Sequence, residues 1–300
     1  MEKKSKEENQ PKEINILGVK INPLSKKEFM RSVVYLLKDD NQHYLVTTNP
    51  EFLITAKEDA DFKRIINLSD LSLADGNGII WADYFLNLPV SVSHEFSPQK
   101  QKVYRRRKIR NQAIFSLLVN LFNPRKTKIN IPERLSGSDV ILSICKLLAK
   151  NDLSLYLLGG EGKSTVSAKF ALEKMFPELI ISGIKGGFAK DKIMDEELVE
   201  AVNKAKPEVI FVALGHPHQE KWIFRNLDKM PSVKLAVGVG GSLDFLGGSK
   251  RRAPKWMQKI NLEWMFRLIQ EPRRLKRIKT AVWDFPKMVC EEKVRRENDK

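Results

Sequence analysis

Residues 208–220 read EVIFVALGHPHQE, and residues 234–241 read KLAVGVGG. Each segment contains an apolar run of strand length that is followed by glycine. A helical pattern over residues 219–228 separates the two runs. Because a helix between two buried strands forms a crossover, the two strands are predicted to lie parallel in one sheet.

The same strand–helix order continues in both directions along the chain. This recurrence predicts an α/β protein with a mostly parallel, Rossmann-like sheet, flanking helices and a basic C-terminal helical appendage. The predicted strands are 14–21, 43–48, 71–74, 153–158, 179–184, 208–214 and 234–239. The predicted helices are 25–38, 50–68, 78–85, 139–149, 163–175, 196–205 and 219–228.

Two segments depart from this order, namely residues 88–131 and the residues after 248. They suggest how the chain is divided. Residues 1–13 are polar and are predicted to be a disordered tail. Residues 14–247 are predicted to form the α/β core, with a basic insertion at about residues 90–131. Residues 248–300 are predicted to form a membrane-associating appendage.

Positive charge is concentrated in the insertion and the appendage. The chain has 53 Lys and Arg residues against 37 Asp and Glu residues, a net charge of +16. Residues 95–128 hold ten basic residues and one acid, and residues 250–300 hold sixteen basic residues and seven acids. Such surfaces bind anions, among them phospholipid headgroups, nucleic acids and diphosphates.

The appendage has the composition of a helix that lies on a membrane. Aromatic and long aliphatic side chains alternate with Arg and Lys across residues 251–277. A packed helix with a solvated basic face and a nucleic-acid-binding segment are the alternatives. No run of about 18 apolar residues occurs, and the N-terminus lacks an apolar signal segment. We therefore expect a cytoplasmic protein that is peripheral on the inner face of the cell membrane, with an anionic membrane surface as partner.

The insertion contains an apolar stretch, residues 113–122, between basic flanks. A helix of this kind would expose an apolar patch to water, so the protein core, a second subunit or lipid must cover it. The basic flanks favour lipid, which predicts a second membrane contact. A homo-oligomer contact is the competing interpretation.

Polar or glycine residues follow five predicted strands, at residues 47–51, 74–78, 159–162, 215–220 and 238–244. Tight turns explain each of them taken singly. Five at one edge of a parallel sheet favour a phosphate-binding cleft, because helix N-termini attract phosphate. Gly162-Lys163-Ser164 is not a P-loop, since Leu157 stands where that motif requires glycine.

The residues alone leave the role of Asp75 open. Asp75 either caps the helix that follows or supplies a carboxylate that accepts a proton from an attacking hydroxyl. His216 and His218 lack the spacing and the acidic partners of a metal site, so turn polarity is the favoured interpretation of both.

Short motifs follow one another in a recognisable order over most of residues 14–280. They are ILGV (16–19), TTNPE (47–51), ADGNGI (74–79), RLSGSD (134–139), LLGG (157–160), VALG (212–215), QEKW (219–222), GVGGSLD (238–244), RAP (252–254), LEW (262–264) and EP (271–272). With them the chain resembles the WecG/TagA/CpsF family of glycosyltransferases, which add the second sugar to lipid-diphosphate-linked N-acetylglucosamine or to related lipid-linked sugars.

The resemblance implies roles for particular residues. Asp75 matches the catalytic base, and Thr47 and Asn49 line the same pocket. Gln219 and Asp244 match positions near the UDP. The full set of implied site residues is Asp75, Thr47, Asn49, Arg267, Arg274 and Arg277 for catalysis, and Gly159, Gln219, Glu220, Gly240 and Asp244 for donor binding. The three arginines match those of an appendage that closes over the active site and docks on the membrane.

The resemblance also implies a reaction. A hexose, with N-acetylmannosamine as the leading candidate, passes from a UDP-sugar donor to a lipid-linked sugar acceptor with inversion. No metal or other cofactor is required, so cationic side chains stabilise the departing UDP. The product would serve cell-surface polysaccharide or teichoic acid synthesis, and no nucleic acid is involved. The chain departs from the family in its long segment at residues 88–131, and in His218, where the family often has Lys.

Two alternatives come from other functional classes. A nucleotide-dependent oxidoreductase would share the doubly wound fold, but no strand end carries the Gly-x-Gly-x-x-Gly pattern followed by the expected acid. A non-catalytic, basic nucleic-acid-binding protein would bind DNA or RNA with a steep dependence on salt.

Overall fold

The computed structural model describes residues 12–91, 97–160, 162–186, 195–248, 254, 257, 263–270, 275 and 279–299. Most of the predicted tail lies outside these residues. The first element is a hairpin of β1 (Ile14–Ile16) and β2 (Val19–Ile21), where we had expected one strand. Leu17 and Gly18 form its turn with φ values of 57° and 81°. The single-strand prediction was wrong because nothing in the sequence indicates that a leucine adopts the left-handed backbone conformation.

A six-stranded parallel sheet forms the centre of the molecule. Its order is β4-β3-β8-β7-β5-β6, and every neighbouring pair is parallel. The strands are β3 (His43–Thr48), β4 (Leu71–Ala74), β5 (Ser154–Gly159), β6 (Ile180–Lys185), β7 (Val209–Ala213) and β8 (Leu235–Gly238). The sheet confirms the predicted fold class.

Helices flank this sheet on both faces. The helices of the described residues are α1 (Lys26–Lys38), α2 (Pro50–Glu58), α3 (Ala60–Leu68), α4 (Asn77–Asn87), α5 (Pro98–Phe122), α6 (Gly137–Ala149), α7 (Ser164–Met175), α8 (Asp195–Ala205), α9 (His218–Asn226), α10 (Ser242–Leu246), α11 (Glu263–Gln270) and α12 (Phe285–Asn298), and α5 packs on α4 and α12 rather than on the sheet. A 3₁₀ turn (Leu227–Lys229) follows α9, and a π-helical turn (Thr280–Asp284) precedes α12.

The helix predicted over residues 50–68 is two helices. Asp59 ends α2 and caps α3, because its carboxylate accepts a hydrogen bond from the backbone N–H of Phe62 at 2.8 Å. The same carboxylate pairs with Lys221 of α9 at 2.6 Å. An aspartate in the middle of an apolar period is thus an N-cap, which breaks the helix.

Alternation along the strands sends side chains into two separate cores. Ile210 and Val212 of β7 belong to one apolar cluster, and Phe211 between them belongs to the other. In β3, Leu45 and Val46 divide in the same way. A strand that is buried on both faces accounts for the continuous apolar runs in the sequence.

The insertion forms the 25-residue helix α5, which packs on α4. Its inner face buries Ile109, Ala113, Ser116 and Asn120, while Phe115 is 66% and Phe122 80% exposed. The apolar stretch is therefore covered by protein on one face only. Among the described residues, no helix is long and apolar enough to cross a bilayer.

Candidate active site

The carboxyl ends of β4, β3 and β8 are neighbours at one edge of the sheet. Thr48 pairs in register with Ala74, and the backbone N–H of Asp75 donates to the carbonyl of Thr48 at 2.8 Å. On the other side of β3, the Thr47 hydroxyl lies 3.5 Å from the carbonyl oxygen of Gly238. Three polar strand ends that are far apart in the sequence thus meet at this edge, the candidate cleft.

Asp75 is half-buried at this edge, one residue before the N-cap position of α4. Gly76 is the N-cap residue and, as glycine, has no side chain that could accept a hydrogen bond there. Gly76 has a φ of +105°, which favours glycine, and it turns the chain from β4 into the helix. Asp75 is therefore not the N-cap residue of α4, and its role as a proton-accepting carboxylate stays a prediction.

Thr47 and Asn49 occupy different positions relative to the cleft. Thr47 is buried beneath the loop that leads into α6, where an added Cβ on Gly137 would lie 3.9 Å from its hydroxyl. The side-chain oxygen of Asn49 accepts hydrogen bonds from the N–H groups of Glu51 and Phe52 at 2.9 and 3.4 Å. Asn49 therefore caps α2, a role that stabilises the turn beside Asp75.

Gln219 joins the ends of β7 and β8. Its amide oxygen accepts from the N–H of Gly240 at 2.9 Å, and its amide nitrogen donates to Glu220 at 2.5 Å. A Cβ on Gly238 would lie 2.9 Å from both side chains, so only glycine permits this close approach. Gln219 is 2% exposed, so it fixes the shape of the Gly240 turn from beneath.

Glu220 is fully buried beside His216. Its Oε2 atom has no hydrogen-bond partner among the described residues and lies 3.7 Å from His216 Nδ1. The His216 ring stacks on Phe52 with centroids 4.3 Å apart, and its Nε2 lies 2.8 Å from the Thr55 hydroxyl. The expectation of simple turn polarity was wrong for His216, which connects β7 to α2, whereas His218 is exposed at the first position of α9.

Gly159 and Asp244 complete the donor-side set implied by the resemblance. Gly159 ends β5 with a φ of +94°, and an added Cβ would lie 2.6 Å from the Ala213 carbonyl. Asp244 is buried in the short helix α10, which follows the Gly240 turn. Both residues lie at the carboxyl edge that Asp75 shares, because all six strands are parallel.

The helix that begins after Asp75 is held by long-range contacts that sequence reasoning missed. Lys293 of α12 is 1% exposed and donates to the carbonyl oxygens of Phe85 and Leu88 at 2.5 and 2.8 Å, at the C-terminal end of α4. Buried Asp83 accepts from the N–H and the side-chain amide of Asn130 at 3.1 and 2.8 Å. Asp83 could have been noticed as an acid in an apolar run, whereas Lys293 carries no sequence signal.

Three of the implied catalytic side chains lie outside the part of the chain that the structure describes. Arg274 and Arg277 lie outside the described residues, as does the side chain of Arg267 in α11. Among the described residues, no group of three or more His, Cys, Asp or Glu side chains is placed to hold a metal ion.

The structure is that of a doubly wound α/β protein, and its candidate site lies at the carboxyl edge of the sheet. The chain belongs to the glycosyl transferase WecG/TagA/CpsF family, whose model matches residues 14–117 and 117–299. It is therefore a glycosyltransferase, rather than an oxidoreductase or a nucleic-acid-binding protein.

Two curated relatives carry the same name, N-acetylglucosaminyldiphosphoundecaprenol N-acetyl-beta-D-mannosaminyltransferase. One, from Staphylococcus aureus (strain MW2), is 24% identical over 269 residues, which cover 89% of this chain and 88% of that protein. The other, from Bacillus subtilis (strain 168), is 27% identical over 232 residues, which cover 77% of this chain and 73% of that protein.

Proposed function

We propose that this glycosyltransferase moves N-acetylmannosamine from a UDP-linked donor to an N-acetylglucosaminyl-diphosphate lipid, in cell-surface polysaccharide or teichoic acid synthesis. The relatives' names supply the sugar and the acceptor. The observation that supports the proposal is the position of Asp75, a half-buried carboxylate directly after β4 at the carboxyl edge of the sheet.

Asp75 acts as the general base of the transfer. Its carboxylate takes the proton of the attacking acceptor hydroxyl, and the resulting oxygen bonds to the anomeric carbon of the donor. The bond from that carbon to the diphosphate oxygen breaks, and UDP leaves with the electron pair. Attack from the face opposite UDP inverts the anomeric configuration.

The Gly240 side of the cleft receives the donor. Gln219 holds the Gly240 N–H, and Glu220 holds Gln219 in turn, so these buried residues position the turn. Gly159 and Asp244 line the same edge. Backbone N–H groups at such turns and at helix N-termini favour phosphate oxygens.

Arginines of the appendage stabilise the departing diphosphate in this proposal. Arg267, Arg274 and Arg277 supply charge where UDP accumulates it, which makes a metal unnecessary. Replacing Arg274 and Arg277 together by Ala should reduce transfer far more than it lowers the melting temperature. A parallel loss of folding would show that the two arginines are structural.

The decisive experiment measures UDP release. The full chain is incubated with several UDP-sugars and a short-chain lipid diphosphate that carries N-acetylglucosamine, with chelator present in a parallel set. We expect release with UDP-N-acetylmannosamine only, unchanged by chelator. Release without acceptor, or with none of the donors, would contradict the proposal.

The outer face of α5 contacts an anionic membrane in this proposal. Phe115, Leu118 and Phe122 are exposed together, and Arg125 and Lys126 follow the helix. Each cation near an anionic surface contributes about 1 kcal/mol. Replacing Phe115 and Phe122 by Ser should weaken sedimentation with anionic vesicles, whereas Leu68→Ser, at an exposed position on α3, should not. A change in oligomeric state with unaltered sedimentation would indicate a subunit contact instead.

A further inference from the structure

An apolar groove runs between α5 and α12, next to α4, the helix that follows Asp75. Its volume is about 890 Å³, which falls in the range of ligand pockets. Leu117 and Ile114 of α5 form one wall, and Val282, Pro286 and Val294 form the other. The α5 wall spans residues 106–117, about 16 Å of helix, so the groove is elongated.

The groove is open as far as the described residues are concerned. Ile114 is 58% exposed, Leu117 36% and Trp283 71%, although all three line it. Soluble proteins rarely leave an apolar channel of this kind facing water. An apolar ligand would bury these side chains and gain the corresponding hydrophobic free energy.

The charges around the groove select an anionic ligand. Among the described residues that line it, four are basic and one, Glu291, carries a carboxylate. Arg106, Arg110 and Lys287 form no ion pair with any described residue. A second copy of this chain would bring two basic rims together, which like-charge repulsion disfavours. An apolar chain with an anionic end complements both the walls and the rim.

One end of the groove adjoins the proposed active site. Phe285, next to the groove residue Pro286, is fully buried against α4, and an added Cβ on Gly78 would lie 3.5 Å from its ring. Gly78 is three residues after Asp75. The other end lies near the start of α5, where Arg105 donates to the carbonyl of Glu297 at 2.8 Å. The groove therefore leads away from the Asp75 edge along the two helices.

We propose that this groove binds the isoprenoid chain of the lipid-diphosphate acceptor, with the diphosphate directed toward the Asp75 edge. This assignment rests on the proposed function for the nature of the acceptor. Binding of the isoprenoid chain beside the cleft would hold the reacting hydroxyl of the acceptor near Asp75. The free energy of burying the apolar chain would thus help to position the sugar.

A free cysteine inside the groove reports on its occupancy. Cys290 lines the groove, and burial raises the pKa of its thiol to about 11. The second cysteine, Cys145, is buried in the sheet core, where burial raises its pKa to about 12. Alkylation of the full chain under mildly alkaline conditions should therefore modify Cys290 and leave Cys145 as an internal control.

The test compares the alkylation rate of Cys290 with and without farnesyl diphosphate, which carries no sugar and needs no transfer reaction. At ten times its dissociation constant the ligand should slow alkylation about tenfold. Inorganic pyrophosphate and phosphatidylglycerol vesicles should give no such protection. Equal protection by the vesicles would assign the groove to membrane lipid, and a Cys290 that is inert without ligand would show that another segment covers it. Either result overturns the proposal, as does an absence of protection.

A matched pair of variants separates groove binding from folding. Leu117→Glu places a charge on the wall and should weaken protection by farnesyl diphosphate about tenfold or more. Val103→Glu, an exposed position on the same helix outside the groove, should leave protection unchanged. Equal effects of the two variants would overturn the assignment. Protection that persists in a protein unable to release UDP would instead count against the proposed function alone.

Discussion

The strand-end cleft and the α5–α12 pair are built from contacts of different range. In the cleft, the polar residues lie at the end of a strand or in the turn or helix that follows it, as Asp75 lies directly after β4. In the helix pair, Lys293 reaches carbonyls more than 200 positions earlier in the chain. The comparison indicates that the chemistry is encoded locally, while the support of the helix beside it depends on the folded C-terminus.

Asp75→Asn should have the largest effect on activity and almost none on stability. The amide keeps the size of the side chain but cannot accept the proton, and loss of a general base costs about 10²–10⁴ in rate. Single-turnover transfer and thermal unfolding measure the two quantities separately. Near-normal transfer by the variant would remove Asp75 from the mechanism.

Lys293→Met should have the largest effect on stability. The change keeps the apolar stem but leaves the carbonyls of Phe85 and Leu88 without their charged donor, at an expected cost of about 2–4 kcal/mol. Lys287→Met, at an exposed position on the same helix, is the control and should change the free energy of unfolding by less than about 0.5 kcal/mol. Urea unfolding compares them, and equal midpoints would show that the buried ammonium contributes nothing.

Asp70 lies at the opposite end of β4 from Asp75, and Asp70→Asn tests the contribution of its contact with His43 to stability. The carboxylate hydrogen-bonds to His43 Nδ1 at 2.8 Å and raises the pKa of that imidazole against the effect of burial. Because the folded-state pKa lies above the unfolded one, this contribution is complete below the usual histidine pKa of about 6.5 and is lost as pH rises through the raised value.

The variant should therefore be less stable at pH 6, by about 1–2 kcal/mol, and this part of the pH dependence should disappear. Transfer should stay near normal, because Asp70 is remote from the carboxyl edge. Unfolding curves at pH 6 and 8 provide the measurement. An unchanged slope of stability against pH would show that Asp70 does not make the pKa of His43 differ between the folded and unfolded states.

The smallest predicted effect is at the contact between α4 and α5. Trp81 Nε1 donates to the Ser116 hydroxyl at 2.9 Å inside the core. Trp81→Phe, Ser116→Ala and the double variant form a cycle whose coupling energy should be about 1 kcal/mol. A coupling near zero would mean that apolar packing alone holds the insertion helix to the core.

Prediction from the sequence succeeded where the signal was local. Every predicted strand after residue 42 corresponds to a strand of the sheet, because buried parallel strands are short apolar runs that end at turn residues. It failed where a turn or cap departed from the average pattern, as at Leu17 and Asp59. The cleft residues could be assembled because parallel strands bring all their carboxyl ends to one edge.

The sequence by itself determined the α/β class and the strand ends, and its resemblance to the family indicated which residues are expected to carry the chemistry. Only the tertiary structure decided that Gly76 rather than Asp75 caps α4, that Gln219 and Glu220 lie beneath the Gly240 turn, and that α5 and α12 enclose a groove. The physical reason is range: periodicity and turn propensity act over a few residues. Burial of Lys293 and the open face of Leu117 depend instead on which distant segments pack together.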